Sequence, residues 1–191
     1  MPENPIIQDA QLVPPQPAFD LEKVQQVTQD FKILKHLLMA LVLDRKAQVG
    51  LEVGTDVGDS TRVFSSVLQL TGGKLYTIDK EAPKQNWLES WPLKNVTFLL
   101  GDSITIPWGE PLDLLWLDGD HTAEHLTKEL AYFGRRVKVG GRIALHDTCH
   151  SEFGQGITGV IRQFCQEQQL TWTEYPFQHG LAVIDVSHPI Q

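Results

Sequence analysis

The 191-residue sequence predicts a doubly wound α/β fold on a seven-stranded, mostly parallel sheet. Two observations carry this. From Arg45 onward short apolar runs alternate with helical stretches, which implies right-handed crossovers and a sheet covered on both faces. The last two apolar runs are separated only by Pro176–Gly180, too short for a parallel crossover. They therefore form an antiparallel C-terminal hairpin at one sheet edge.

The elements follow in order. The first 19 residues hold five prolines (Pro2, Pro5, Pro14, Pro15, Pro17) and read as a flexible arm. Asp20 is a helix N-cap candidate. After it Leu21, Val24, Val27, Phe31, Leu34, Leu38 and Leu41 recur at steps of 3 and 4, predicting a helix over about 20–43 with one apolar stripe. Strands are expected at Gln48–Val53, Lys74–Ile78, Val96–Leu100, Leu112–Leu117, Arg142–His146, Thr171–Tyr175 and Leu181–Val186. Helices are expected at Ser60–Leu70, Gln85–Trp91, Ala123–Val137 and Gly156–Gln168. With no repeat and no second boundary, 20–191 reads as one domain.

Composition narrows the function. An apolar fraction of 41% with 21% charged residues suits a packed core. A net charge of −8 without a Lys/Arg cluster argues against a nucleic-acid partner held by phosphate contacts. No apolar run approaches the roughly 18 residues of a membrane span, and the N-terminus lacks a signal-peptide layout. Cys149 and Cys165 make no disulfide framework, so a cytoplasmic location is expected.

Open α/β sheets bind ligands beyond the carboxyl ends of their strands. The first such end reads LEVGTDVGDST, where Gly54 and Gly58 bracket a sharp turn and Asp59 or Ser60 can cap the next helix. Asp56 stands where the second glycine of a dinucleotide fingerprint would admit pyrophosphate, which argues against NAD, and Glu52 points the same way. The second strand ends in LYTIDK, placing Asp79 to accept bonds from ribose hydroxyls. The third ends in LLGDS, where Asp102 and Ser103 could meet an adenine edge.

On these motifs, with LLWLDGDH, VGGRIALHD and GLAVIDV, the chain from about Val49 to Val186 resembles the class I S-adenosylmethionine-dependent methyltransferases. The resemblance implies a Rossmann-like fold. It places Glu52, Gly54 and Gly58 at the methionine end, Asp79 on the ribose and Asp102 on the adenine. Thr55, Ser60, Lys80, Ser103 and Asp118 complete the expected cofactor contacts. A cationic sulfonium donor suits an acidic pocket, and methyl transfer needs alignment plus removal of the acceptor's proton.

The fourth strand ends in LLWLDGDHTAEHL and the fifth in RIALHDTCH. As neighbours they bring Asp118 and the His146–Asp147 pair about 5 Å apart, one strand spacing. Carboxylates so placed can share a divalent cation such as Mg²⁺, which holds and acidifies an acceptor hydroxyl. This pattern is similar to small-molecule O-methyltransferases, in the branch resembling macrolide-sugar methyltransferases and the cephalosporin hydroxylase group. That branch implies Asp118 as ligand and His121 as base. His146 replaces one acid of its pair, which leaves the metal's identity open. The expected ligands are thus Asp118, His146 and Asp147, with Asp118 and His121 catalytic. Asp120 reads as a solvent-facing turn residue, Thr122 as an N-cap, His125 as a surface histidine and Trp116 as core. Phe153 lies in a glycine-rich stretch that borders the acceptor pocket or simply leads into a helix.

The expected activity is metal-assisted O-methylation of a small hydroxylated metabolite. The alternatives are a catalytically silent member of the fold that binds cofactor or partner, an NAD-linked oxidoreductase, and a hydroxylase. The sequence adds little to the sheet, so a second copy of the chain could complete the cleft.

Overall fold

The computed structural model describes residues 34–82, 93–176 and 179–191. The expected arm over 1–19, the start of the 20–43 helix and the expected helix Gln85–Trp91 lie outside the described residues. Within them the chain runs α1 (Leu34–Leu43), β1 (Val49–Val53), α2 (Asp59–Thr71), β2 (Lys74–Asp79), β3 (Val96–Leu100) and β4 (Leu112–Leu117). It continues through α3 (Ala123–Phe133), a 3₁₀ turn (Gly134–Arg136), β5 (Val137–His146), α4 (Gly154–Gln168), β6 (Trp172–Tyr175) and β7 (Leu181–Asp185).

The seven strands form one sheet in the order β3-β2-β1-β4-β5-β7-β6. The first five pair in parallel, and β7 pairs antiparallel with both β5 and β6. The doubly wound sheet and its antiparallel edge hairpin are thus as expected.

Strand periodicity explains the layers. Successive residues of β4 alternate between faces, Leu114 and Trp116 toward α1 and α2, Leu115 and Leu117 toward α3 and α4. Both sets are buried, as a sheet covered on two sides requires. The Trp116 indole meets the Phe64 ring of α2 edge-on at 5.5 Å, so Trp116 is core as expected. No helix among the described residues is long and apolar enough to cross a membrane.

Several boundaries differ from expectation, three of them for a clear local reason. β5 begins at Val137 instead of Arg142, because Val137 pairs with Leu112 before a register shift between Leu112 and Leu114. Gly140, at φ 86°, lets the strand pass that irregularity. α3 correspondingly gives way at Gly134 to a 3₁₀ turn. At α2 neither Asp59 nor Ser60 is the N-cap. Gly58 takes that place at φ 80°, with no side-chain cap.

The central strands meet at their carboxyl ends. Asp118 N–H donates to Val53 C=O at 2.9 Å, and Gly54 N–H donates to Ile78 C=O at 2.9 Å. Gly54 has φ 95°, and a Cβ there would overlap the Asp118 carbonyl. The Gly54→Ala variant should lose about 2–4 kcal/mol, from left-handed strain plus overpacking. Urea unfolding of the two proteins checks this, and an unchanged midpoint would contradict the close approach.

Candidate active site

The strand ends open onto a cleft of about 670 Å³, lined by the glycine turn, Asp79, Lys80, Gly101, Ser103 and the stretch Asp118–His121, together with His146 and Asp147. That size suits a small-molecule ligand. Asp79, at the tip of β2, fastens the turn. Its Oδ2 accepts the backbone N–H groups of Thr55 (2.9 Å) and Asp56 (3.0 Å), and its Oδ1 accepts that of Glu81 (3.0 Å). The carboxylate therefore shapes the turn as well as facing the cleft.

Glu52 lies elsewhere than expected. It is fully buried, outside the cleft lining, and its oxygens accept the Ser60 and Thr61 hydroxyls at 2.5 Å each. It ties β1 to α2 beneath the turn instead of lining the methionine end. Burial pushes its carboxyl up to about 7, against the hydroxyl bonds that favour ionisation. Gly58 also stands back from the cleft as the helix cap, whereas Gly54, Thr55 and Ser60 line it. Asp102 likewise does not line the cleft. Its Oδ1 accepts the Ile104 N–H at 3.2 Å, and its Oδ2 lies 3.6 Å from Lys80 Nζ.

At the ends of β4 and β5 three potential ligand atoms converge. One each from Asp118, His121 and Asp147 all lie within 4.8 Å of one another. His121 Nε2 is 3.0 Å from Asp147 Oδ2 and 3.7 Å from Asp118 Oδ1. The atom is buried and makes no aligned hydrogen bond, so these are charge contacts of the kind a cation would fill. Mixed carboxylate and imidazole donors suit Mn²⁺, Fe²⁺ or Zn²⁺ better than Mg²⁺.

The expected ligand His146 is not part of this trio. Its Nδ1 lies 3.2 Å from Asp118 Oδ1 and 3.5 Å from Asp147 Oδ1, beneath both carboxylates. That is the place of a residue that orients ligands. Asp147 adopts φ 61°, which turns its carboxylate from the β5 direction toward His121. Desolvation at Asp147 acts upward on its carboxyl but is outweighed by His121, His146 and His179, leaving it below its ordinary value.

A ring stack fixes His121. Phe153 lies parallel to it at 4.3 Å, and His150 covers the other face of Phe153 at 3.8 Å. Phe153 thus borders the site. Asp120 sits at the cleft edge, where the Thr122 N–H and then Lys80 hold its carboxyl down to about 2. Thr122 caps α3 as expected.

His125 is not at the surface. Its side chain is 11% exposed and joins Ser103 and the buried Glu129 at the β3 end of the cleft. Burial pushes the Glu129 carboxyl up, against Ser103 and His125. Glu129 escaped the sequence reading, although it falls on the buried stripe of Leu126, Leu130 and Phe133, where an acid is out of place. His179, which also lines the cleft, carried no sequence signal.

A doubly wound sheet with an acid-rich cleft beyond the carboxyl ends of its strands is the architecture of the nucleotide-binding α/β folds. A model of the methyltransferase domain family matches residues 51–148, more than half of the chain, and the protein belongs to that family. Solved structures share the fold. S-adenosylhomocysteine-bound PaMTH1 of Podospora anserina aligns with a TM-score of 0.68 at 15% identity, covering 91% of this chain and 89% of that one. The S-adenosylmethionine complex of TomG, from Streptomyces achromogenes, aligns at 0.62 and 20% identity over 93% of each chain. The O-methyltransferase of Bacillus cereus with S-adenosylhomocysteine aligns at 0.64 and 21%, over 92% and 93%.

Two pH effects follow. Asp118 and Asp147 raise the His121 imidazole to about 9, so in metal-free protein its ion-pair stabilisation is complete below about 6.5 and lost as pH rises through 9. Metal binding must displace that proton, so Mn²⁺ affinity should climb with pH up to about 9. An NMR titration of the His121 ring should show the midpoint near 9, and Asp147→Asn should move it down; a midpoint near 6.5 in the unmutated protein would contradict the trio. Glu52 has the opposite origin, an acid raised by burial. Its contribution to stability falls as pH rises from about 4.5 through 7. Glu52→Gln should flatten that decline in melting temperature, and curves that stay parallel would show Glu52 already ionised.

Proposed function

We propose that the protein transfers the methyl group of S-adenosylmethionine to a hydroxyl oxygen of a small acceptor, with a divalent cation held by Asp118, His121 and Asp147. The observation that carries this is the convergence of those three donor atoms beside the glycine turn, at the open carboxyl ends of adjacent strands. In relatives such as TomG the same fold holds S-adenosylmethionine, which supports the cofactor.

The residues divide the work along the cleft. Gly54 and Thr55 would border the amino-acid end of the cofactor, and Asp79 would accept from the ribose while holding the turn in shape. Lys80, paired with Asp120 and Asp102, limits the negative charge there. Acidic side chains facing the cleft favour a sulfonium donor. A bound cation would supply Lewis acidity, acidifying the acceptor hydroxyl and fixing its oxygen. His146 steadies Asp118, and Phe153 keeps the His121 ring in place. His121 would then serve as a ligand in place of the expected general base, since its Nε2 gives up its proton on binding the cation and its lone pair is no longer available to take one from the acceptor. A cytoplasmic setting accords with Cys149 and Cys165 both being free thiols.

S-adenosylhomocysteine should raise the melting temperature in a concentration-dependent way. Asp79→Ala should abolish that shift and lower the melting temperature of the free protein, because Thr55 and Asp56 lose their acceptor. No shift at millimolar ligand would sink the cofactor reading. Calorimetry with Mn²⁺ tests the cation separately. His146→Ala should weaken binding about 10–100-fold, as loss of an orienting residue does, and Asp147→Asn at least as much. Unchanged affinity in both variants would remove the metal from the account.

A further inference from the structure

A second cavity, of about 340 Å³, lies at the opposite end of the sheet from the cleft, where β4 and β5 begin. Arg135, Arg136 and Lys138 line it, and no acidic side chain among the described residues does, in a chain of net charge −8. β5 spans ten residues, from Val137 at this cavity to His146 beneath the metal trio, which separates the two sites by roughly 30 Å. The methyl-transfer chemistry uses none of these cations.

Their surroundings set the two arginines apart. Lys138 is already neutralised, since its Nζ lies 2.7 Å from Asp113 Oδ1. Glu110, between the lining residues Gly109 and Pro111, is taken up by Lys74 at 2.8 Å. Neither arginine forms an ion pair among the described residues, yet backbone carbonyls hold both in place. Arg135 Nε donates to Ala131 C=O at 2.8 Å. Arg136 Nε donates to Trp108 C=O at 2.8 Å and its Nη1 to Tyr132 C=O at 2.9 Å, with the guanidinium carbon 4.8 Å from the centre of the Tyr132 ring. Capping the end of α3 accounts for the Ala131 and Tyr132 carbonyls. It leaves two positive charges uncancelled at the wall of one cavity. Guanidinium groups fixed in this way lose little further freedom when an anion arrives.

We propose that this cavity binds a small organic phosphate, with its phosphoryl group on Arg135 and Arg136 and its organic part against Pro111, Val139 and Ile190. Guanidinium forks match phosphate oxygens and stay charged throughout the physiological range. The rest of the lining is apolar, and Val139 is 56% exposed although it belongs to a strand, so a ligand there would cover surface that water now covers. The cavity falls at the small end of ligand pockets, which suits one ring and one phosphoryl group better than a polynucleotide.

Calorimetric titration of the metal-free full chain with phenyl phosphate, inorganic phosphate and phenol tests this. Phenyl phosphate should bind with a Kd of roughly a few millimolar or tighter. Inorganic phosphate should bind roughly tenfold more weakly, for want of one buried ring face, and phenol not at all. Arg135→Gln and Arg136→Gln should each weaken phenyl phosphate binding about tenfold or more, as loss of a charge-assisted hydrogen bond does. Arg136→Gln also takes a partner from the end of α3. Should it fail to fold, Val139→Glu decides, because it keeps both arginines, changes an exposed side chain and should abolish binding without lowering the melting temperature. Saturating S-adenosylhomocysteine should leave the phenyl phosphate affinity unchanged. No binding of phenyl phosphate, an affinity left intact by Arg135→Gln and Val139→Glu, or displacement by S-adenosylhomocysteine would each overturn the proposal. Equal affinity for inorganic phosphate would reduce the cavity to an adventitious anion site and overturn it too. If S-adenosylhomocysteine itself does not bind, the cofactor reading falls, while this site stands or falls on its own variants.

Discussion

The contact between the Gly54 turn and the Asp118 backbone sets the geometry of everything around it. Two central parallel strands end at the same level, and the absence of a Cβ at Gly54 lets their backbones touch. One hydrogen bond, Asp118 N–H to Val53 C=O, carries the β1–β4 ladder to its last residue. The glycine turn therefore leaves the sheet on one side of this contact and Asp118 on the other. Cofactor and acceptor would meet where the two diverge, and neither half can move without the other. Asp79 reinforces this from β2 by collecting the N–H groups that the turn leaves unpaired.

Around that contact, burial and pairing give chemically similar acids different tasks. Glu52 and Glu129 are buried and pushed up, and both bind hydroxyls within the protein. Asp120 and Asp147 are held low by backbone or imidazole partners and face the cleft. The first pair organises structure, and the second supplies charge to a ligand. The same logic separates the histidines, since His121 reaches the carboxylates as a potential ligand, His146 lies beneath them, and His125 joins the Ser103–Glu129 cluster.

The doubly wound architecture was legible because alternating strands and helices have a strong periodic signal. The edge hairpin was legible from its short link alone. Strand ends also located the cleft, since an acid that terminates an apolar run is visible in one dimension. What the sequence could not show is which way such an acid points. Glu52 sits inside β1, and the pleat turns it under the sheet toward Ser60 and Thr61 instead of into the cleft. The exchange of His146 for His121 has a similar cause. The left-handed conformation at Asp147 redirects its carboxylate, and nothing in the pair His146–Asp147 announces that bend. His125 was read as a surface residue and Glu129 was missed because a helix drawn from its own pattern does not reveal which strand end it crosses.

The most direct measurement is a crystal structure of the protein with S-adenosylhomocysteine and Mn²⁺, using anomalous scattering to locate the metal. The account predicts a single anomalous peak coordinated by Asp118, His121 and Asp147, with the cofactor's sulfur beside the Gly54 turn. Cofactor in the cleft with no metal at the trio, or metal coordinated by His146 in place of His121, would contradict it.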